Sequence, residues 1–234
     1  MISIIIPTLN ETQYLRRTIL HTQKMASDVS NLEIIVVDAG STDDTLPSVE
    51  DLAVQCFERP DFVLKKYASL NYGAEKAKGE IILFLDVDTF LPEDFDTMIM
   101  SAFKSSETVG GAFEFAFERP DWKLWILSIG NRIRYRFGRV FYGDQAVFLK
   151  KKTLNDIGEV PNEPLMETAF LCRRLSKVGK LALLHPGIRT SPRRFQEHGF
   201  FKVLWFDFNM FIRFNLGIPV SPYAEKYWSK NLTD

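Results

Sequence analysis

The amino-terminal half of the chain alternates short apolar, β-branched runs with polar loops and helix-compatible stretches. Runs that predict strands occur at residues 2–6, 33–37, 62–64 and 80–85, the third being the weakest. Stretches that predict helices occur at residues 12–25, 43–54 and 67–78. This alternation is typical of βαβ units, which build a parallel sheet with right-handed crossovers. The carboxyl ends of such strands meet at one edge, where open α/β sheets bind their ligands.

The hydrophobic pattern changes after residue 105. A long strand is predicted at residues 109–117 and an aromatic, basic helix at about residues 122–137, with most of the aromatic residues in later elements. Since no linker or low-complexity stretch separates the halves, we predict a single domain over residues 1–234. Its first half, residues 1–105, provides the ligand-binding sheet, and its second half, residues 106–234, closes over that sheet.

The stretch from residue 200 to residue 216 is rich in large apolar side chains at helical spacing. It falls short of the roughly 20 uninterrupted apolar residues that a bilayer-spanning helix needs. Its polar interruptions do not keep to one clean face; they are Lys202, Asp207, Asn209 and Arg213. We therefore favour a core or dimer-interface helix over a helix lying on a membrane surface. The surface alternative would be joined by a second aromatic and basic stretch, formed by Trp122, Trp125, Arg132, Arg134, Arg136 and Arg139.

Composition narrows the class of protein. The formal net charge of −1 gives no global electrostatic reason to bind nucleic acid, so any phosphate site must be local. The two cysteines, Cys56 and Cys172, form no paired motif, which argues against a disulfide framework or a zinc ribbon and favours a reducing cytoplasm. Met1 passes directly into an apolar run ended by Pro7, which predicts a first strand rather than a signal peptide.

Two carboxylates directly follow the apolar run at residues 80–85. Asp86 and Asp88 are spaced so that one can reach a ligand while the other reaches a divalent cation. Hard oxygen ligands at this place suit Mg²⁺ or Mn²⁺ bridging a diphosphate. The alternative is that Asp88 only begins the turn into the helix announced by Pro92 and Glu93.

Two further predicted strands also end in polar clusters, PTLNE at residues 7–11 and DAGSTD at residues 38–43. Three polar strand ends at one sheet edge predict a pocket. In that pocket Asp38 can accept a hydrogen bond from a base imide, and Gly40 permits close backbone approach. Neither the glycine fingerprint of dinucleotide-binding oxidoreductases nor a P-loop is present, which argues against both classes.

These motifs, in this order, resemble the family 2 glycosyltransferases with the GT-A fold. The matching segments are SIIIPTLNE at residues 3–11, VVDAGSTD at 36–43, NYGA at 71–74 and DVD at 86–88. The second half resembles a narrower bacterial subgroup of transferases associated with radical-SAM or selenium-domain genes. Its matching segments are GGAF at 110–113, YGDQ at 142–145, PLME at 164–167, RRL at 173–175, TSPRRF at 190–195 and HG at 198–199.

The resemblance implies a Rossmann-like, mainly parallel α/β sheet flanked by helices, with a smaller acceptor-side second half. The residues that it implies on the nucleotide-sugar side are Thr8, Asn10, Glu11, Asp38, Lys66, Asn71, Asp86, Arg193 and Arg194. Among them Asp38 would read the base and Asp86 would contact the ribose and the donor sugar. Asp88, with Asp86, would hold Mn²⁺ or Mg²⁺ on the diphosphate, and the arginine pair would lie near the leaving group.

Alternatives remain for the late basic motif. Arg193 and Arg194 could instead be a solvated surface pair. His198, which follows them, could be a third metal ligand or an ordinary surface residue.

The sequence departs from the subgroup at two places. Glu167 is followed by Thr168 where the family has a second acid, its usual catalytic base, so Glu167 is the nearest candidate base, with Asp144 and Glu163 in reserve. Glu167 could instead be a helix-start acid stabilised by the helix dipole. Phe195 also replaces a tryptophan that is frequent in the subgroup.

Together these features predict a cytoplasmic, metal-dependent, inverting glycosyltransferase. Its donor would be a nucleoside-diphosphate sugar, with uridine the favoured base, and its hydroxyl acceptor could be lipid-linked. A homodimer and peripheral membrane contact are compatible with the sequence, whereas a nucleic-acid partner is not expected. The alternatives are a catalytically silent nucleotide-sugar-binding protein and a sugar-phosphate nucleotidylyltransferase; residues 7–11 lack the glycine-rich basic loop that the second would need.

Overall fold

A computed structural model describes residues 1–118, 120–138, 140–224 and 227, with the side chains of residues 132–138 left out of the description. Within these residues one eight-stranded sheet has the order β3-β2-β1-β4-β7-β6-β8-β5. Its strands are β1 (Ile2–Thr8), β2 (Leu32–Asp38), β3 (Gln55–Glu58), β4 (Ile81–Phe84), β5 (Thr89–Phe90), β6 (Thr108–Phe117), β7 (Phe148–Lys150) and β8 (Lys180–Thr190). Neighbouring strands from β3 to β4 are all parallel, as the βαβ pattern predicted.

Eight α-helices lie in the described part of the chain and flank this sheet. They are α1 (Leu15–Met25), α2 (Lys66–Lys76), α3 (Phe95–Ala102), α4 (Trp122–Gly138), α5 (Lys151–Ile157), α6 (Glu167–Leu175), α7 (Arg193–His198) and α8 (Phe200–Leu216). None of the described helices is long and apolar enough to cross a membrane. The mainly parallel α/β architecture predicted from the sequence is therefore confirmed.

The central strands are buried on both faces. Ile4, Ile5 and Ile6 of β1 and Ile35 of β2 have no exposed surface. Continuous apolar runs of this kind are typical of parallel strands covered by helices on both sides. Burial of these strands fixes the sheet, and their polar residues, Thr8 and Asp38, come together at its carboxyl edge.

Two local predictions were wrong. Residues 43–54 contain no α-helix but a 3₁₀ turn at Pro47–Val49. Pro47 cannot donate a helical hydrogen bond, and side chains of this loop bond to nearby backbone groups instead, as Asp43 does with the Thr45 amide at 3.0 Å. The third strand lies at Gln55–Glu58 instead of residues 62–64, where Leu64 adopts a positive φ of 59°.

The second half of the sheet brings distant segments to the same edge. Strand β5, directly after the two aspartates, pairs antiparallel with the end of β8, where Thr89 lies opposite Thr190. The Ser191 amide then donates to the Asp88 carbonyl oxygen at 3.1 Å. This pairing places α7 directly beside the aspartates.

Candidate active site

The loop that follows β2 is organised around the Asp38 carboxylate. Its two oxygens accept four hydrogen bonds, from the Thr8 hydroxyl at 3.0 Å, the Ser41 hydroxyl at 2.5 Å, the Ser41 amide at 2.7 Å and the Gly40 amide at 3.0 Å. Gly40 has a φ of +93°, which side-chain-bearing residues rarely adopt. A carboxylate has about four acceptor positions. Asp38 therefore uses its hydrogen-bonding capacity to shape the loop.

The loop after β1 is bonded to the loop after β2. The Asn10 side-chain oxygen accepts a hydrogen bond from the Thr42 backbone amide at 2.8 Å. The Asn10 backbone amide donates to the Ser41 hydroxyl, also at 2.8 Å. The Glu11 amide donates to the Thr45 hydroxyl at 2.7 Å. These bonds hold the predicted nucleoside-side residues of two strands as one rigid surface.

Arg193 joins this surface to the aspartates that follow β4. Its two terminal nitrogens donate to both oxygens of Glu11, at 2.6 and 2.7 Å, and its Nε lies 3.0 Å from Asp88 Oδ2. The guanidinium also lies over the Tyr14 ring, 4.7 Å from its centroid. Burial acts to lower the pKa of Arg193, but Glu11 and Asp88 outweigh it and keep the cation charged. Arg193 is thus part of the site and is not a free surface residue.

A second ion-pair group surrounds Lys66. Its Nζ lies 2.5 Å from Asp86 Oδ1 and 3.7 Å from Glu167 Oε1. Burial opposes its charge, yet the two carboxylates hold the pKa of Lys66 above its ordinary value. Burial also raises the pKa of Glu167, and Lys66 only partly offsets this. The residue predicted as the base, Glu167, therefore faces the half-buried Lys66 and the first aspartate, Asp86.

A glycine makes room for this second group. A Cβ added to Gly143 would lie 2.9 Å from Lys66 Nζ and 3.5 Å from both Asp86 Oδ2 and the Thr168 hydroxyl. Gly143 begins the 3₁₀ turn that also contains Asp144. The backbone of this turn therefore approaches the lysine and the aspartate closely.

Asp88 lies between the two groups. Burial is the largest effect on its carboxyl, and together with the nearby charges of Asp86 and Glu11 it raises the pKa of Asp88 to about 6 despite Arg193. Two aspartates and a glutamate, all half-buried, thus form an anion-rich corner. Such a corner has the oxygen donors that bind a hard cation.

Arg194 belongs to a third group of interacting side chains, beside the two ion-pair groups around Arg193 and Lys66. Its Nη1 pairs with Asp207 at 2.9 Å, and its guanidinium lies over the Tyr227 ring, 4.4 Å from the centroid. Burial acts to lower its pKa, but Tyr227 and Asp207, and more weakly Asp144, outweigh it and hold the pKa above the ordinary value. Its Nη2 is buried without a hydrogen-bond partner among the described residues. A buried guanidinium with an unused donor suits an anionic ligand.

Other predicted residues lie apart from these groups. The Asn71 side chain forms two hydrogen bonds with the backbone of Val160, at 3.0 and 2.8 Å, so it fixes that loop. His198 ends α7 and is half-buried. Among the described residues no group of three His, Cys, Asp or Glu side chains has a metal-holding arrangement, so a ligand set of Asp86, Asp88 and His198 is not assembled.

Sequence reasoning did not find several contacts that shape the site. It predicted that Arg193 lies near a leaving group but not that it pairs with Glu11. It also did not predict that Asp207 and Tyr227 contact Arg194. Glu11 and Arg193 are 182 positions apart, and no local pattern reveals such a pair. The glycine at position 143, next to an acid in a polar turn, was a signal that a close backbone approach would be needed.

The fold and site thus define an α/β protein with opposite charges clustered at the ligand edge of its sheet. The family profile described as Glycosyl transferase family 2 matches residues 3–158, well over half of the chain. The chain therefore belongs to glycosyl transferase family 2.

Two curated relatives illustrate the sequence similarity. An uncharacterized glycosyltransferase of Haemophilus influenzae is 36% identical over 99 residues, covering 40% of this chain and 38% of that protein. Undecaprenyl-phosphate 4-deoxy-4-formamido-L-arabinose transferase of Pseudomonas savastanoi is 24% identical over 163 residues, covering 66% of this chain and 48% of that protein. The chain spans less than half of the length of either relative.

Two solved structures share the fold. Staphylococcus aureus TarS 1-349 in complex with UDP has a TM-score of 0.60 at 18% identity, covering 83% of this chain and 62% of that one. The mannosyltransferase PcManGT of Pyrobaculum calidifontis, in complex with GDP-Man and Mn²⁺, has a TM-score of 0.63 at 19% identity, covering 81% and 56%. The predicted GT-A fold is confirmed by these similarities.

Proposed function

We propose that the protein transfers a sugar from a nucleoside-diphosphate donor, with uridine as the base, to a hydroxyl acceptor with inversion at the sugar. The observation that carries the proposal is the Arg193 bridge, which joins Glu11 at the nucleoside-side loops to Asp88 after β4. The guanidinium of Arg193 thus faces the loops that follow three of the strands, where a nucleotide and its diphosphate would lie. Membership of the glycosyltransferase family supports this assignment.

A divalent cation, Mn²⁺ or Mg²⁺, fits the chemistry of the aspartates. Asp86 and Asp88 offer hard oxygen donors, and the like charges around half-buried Asp88 favour a nearby cation. Two carboxylates would leave coordination positions for phosphate oxygens and water, as Mg²⁺ prefers. When bound, the cation supplies charge stabilisation to the leaving diphosphate. The complex of PcManGT, a protein of this fold, with GDP-Man and Mn²⁺ supports this part of the proposal.

Glu167 is the proposed catalytic base. It lies at the first turn of α6 beside Lys66, and burial raises its pKa, which strengthens its carboxylate as a proton acceptor. Thr168, which follows it, cannot accept the proton in this way. The acceptor hydroxyl would lose its proton to Glu167 as its oxygen attacks the sugar carbon and the diphosphate leaves in one displacement. Lys66 and Arg194 would neutralise charge around the reacting groups.

The acceptor is proposed to be lipid-linked, and Arg194 is proposed to contact the leaving diphosphate. The name of the Pseudomonas relative includes an undecaprenyl phosphate, which supports the first of these proposals. The unused Nη2 donor of Arg194 supports the second. His198 is not proposed as a metal ligand, because in the described part of the chain it does not form a metal-holding group with Asp86 and Asp88.

The test is a calorimetric titration with a panel of nucleotide sugars, with Mn²⁺ and with chelator, followed by a transfer assay using an undecaprenyl-diphosphate-linked sugar, whose ring hydroxyls can accept the donor sugar. We expect one uridine-diphosphate sugar to bind more tightly with Mn²⁺ and to be consumed when the acceptor is present. Binding of no nucleotide sugar would contradict the proposal.

A silent nucleotide-sugar-binding protein is the second candidate, since Thr168 stands where the family has its usual base. The pairing of Glu167 with Lys66 favours it further, because that ion pair could be purely structural. Tight donor binding without transfer or hydrolysis in the same assay would favour this candidate.

A further inference from the structure

Helix α8 exposes large apolar side chains on the side opposite its buried face. Val203, Phe206 and Met210 pack into a small core with Leu165 and Val220. The exposed positions form one stripe, made of Phe201, Trp205, Phe208, Ile212 and Leu216. Phe201 is 75% exposed and Trp205 69%. With a rise of 1.5 Å per residue the stripe is about 22 Å long.

The first part of α4 extends this stripe. Leu124 and Ser128 face the core. Large apolar side chains occupy the exposed side; they are Trp122, Trp125, Ile126 and Ile129. Lys123 Nζ lies 5.7 Å from the ring centroids of both Trp122 and Phe201, so the first turns of the two helices adjoin. We call the nine exposed side chains of α4 and α8 the apolar face.

The apolar face contains a groove of about 210 Å³. It opens between Trp205, Phe208 and Ile212 of α8 and Ile218 of the following loop. Contiguous exposed apolar surface of this kind marks an interaction site. The half-buried Asn209 and Arg213 also line this groove, whereas Asp207 is paired with Arg194.

The charges beside the apolar face distinguish between two possible binding partners, a second copy of the chain and a lipid surface. Two lysines adjoin the apolar face among the described residues, Lys123 of α4 and the exposed Lys202 of α8. On α8 the single acid, Asp207, is already paired with Arg194. A two-fold contact with a second copy through this face would bring like charges together. An anionic lipid surface would instead complement them.

We propose that the apolar face binds the surface of an anionic bilayer. Its tryptophans and phenylalanines would lie at the boundary between headgroups and acyl chains, where aromatic rings are favoured. Arg193 and Arg194 of α7 directly precede α8, so a bound molecule would hold the charged site close to the bilayer. Binding of this kind does not require catalysis, and it can be tested independently of the proposed reaction.

The experiment is flotation of the full chain with vesicles of phosphatidylcholine alone or of phosphatidylcholine mixed with phosphatidylglycerol. We expect flotation with the anionic vesicles, weakened by added salt. Replacing Trp205 and Phe208 together by glutamate should lower the partition coefficient by about tenfold or more, from the loss of buried apolar surface. Both side chains are exposed, so the melting temperature should stay unchanged.

Met100→Glu is the matched control, because Met100 is 46% exposed on α3 and lies outside the apolar face. It should float as the unaltered chain does. If the chain floats with neither vesicle type, or floats equally with both, the proposal is overturned. A dimer in sedimentation velocity that the double variant dissociates, without vesicle binding, would identify a second copy as the occupant instead.

Discussion

Glu167 is buried and Lys66 is half-buried; the Glu167 carboxylate lies 3.7 Å from the lysine ammonium, and Asp86 makes the shorter contact at 2.5 Å. Because Asp86 is the closer partner of the lysine, Glu167 forms the longer of the two ion pairs with Lys66. A side chain in that position can serve as a proton acceptor for a ligand that enters beside it.

Glu167→Gln keeps the shape of the side chain but removes its ability to accept a proton. We expect turnover to fall by roughly 10²- to 10⁴-fold, the usual contribution of general base catalysis, while donor affinity hardly changes. Steady-state kinetics and calorimetry measure the two quantities. Glu159→Gln, at an exposed position before α6, is the control and should turn over normally. If turnover falls with Asp144→Asn but not with Glu167→Gln, the catalytic base is Asp144 and not Glu167.

Asp88 is expected to make nucleotide binding depend on the divalent cation. With Asp88→Ala, the gain in uridine diphosphate affinity on adding Mn²⁺ should largely disappear, because one of two carboxylate donors is lost. Titrations with Mn²⁺ and with chelator measure that gain. Asp61→Ala removes an exposed acid that pairs with Arg59 and should leave the gain intact. Equal affinity of the unaltered chain with metal and with chelator would exclude the metal role.

At the scale of elements, a buried glutamate links three strands of the sheet. Glu33 of β2 accepts from the Ser3 hydroxyl of β1 at 2.5 Å, from the Gln55 amide of β3 at 2.8 Å and from the Lys78 backbone amide at 2.7 Å. Burial acts to raise the pKa of Glu33, but these donors outweigh it and hold the pKa below its ordinary value. The charged form is therefore the one that stabilises the fold.

Glu33→Gln should lower the free energy of unfolding at neutral pH by about 1 to 3 kcal/mol, since a hydrogen-bonded buried carboxylate is replaced by an amide that presents donors to donors. Because the folded pKa is lowered, this contribution is present above the unfolded pKa and is lost as the pH falls through the folded one. Denaturant unfolding at several pH values checks both points. The matched control is Glu80→Gln at an exposed position just before β4, and a pH-independent difference would contradict the account.

The sequence predicted the elements with strong periodicity and missed those decided by tertiary contacts. The apolar runs of β1, β2 and β4 were placed correctly because buried parallel strands need them. The predicted helix at residues 43–54 does not form because Pro47 and the Thr45 hydrogen bonds favour a loop bonded to Glu11. The acidic residues at the strand ends were predicted correctly, because each directly follows an apolar run in the sequence. Their partner Arg193 could not be placed on them, because only the pairing of β5 with β8 brings it there.

At the scale of the whole molecule, Arg193 joins the two halves of the chain at the site. It lies in the second half, and its partners Glu11 and Asp88 lie in the first. Nucleotide binding near this bridge should therefore stabilise the folded chain as one unit. A ligand at 100 times its dissociation constant adds about 2.7 kcal/mol to the free energy of unfolding. For a chain of this size that corresponds to a rise in melting temperature of roughly 5 to 11 °C.

Arg193→Lys keeps one positive charge but loses the two-pronged contact with Glu11. With uridine diphosphate and Mn²⁺ at the same concentrations, we expect the rise in melting temperature to shrink to less than about half, because lower affinity leaves less binding free energy. Thermal melts with and without nucleotide measure the rise directly. Arg16→Lys, which alters an exposed pair with Asp51, should show the full rise. If Arg193→Lys shows the full rise as well, then Arg193 only ties the two halves together and takes no part in holding the nucleotide.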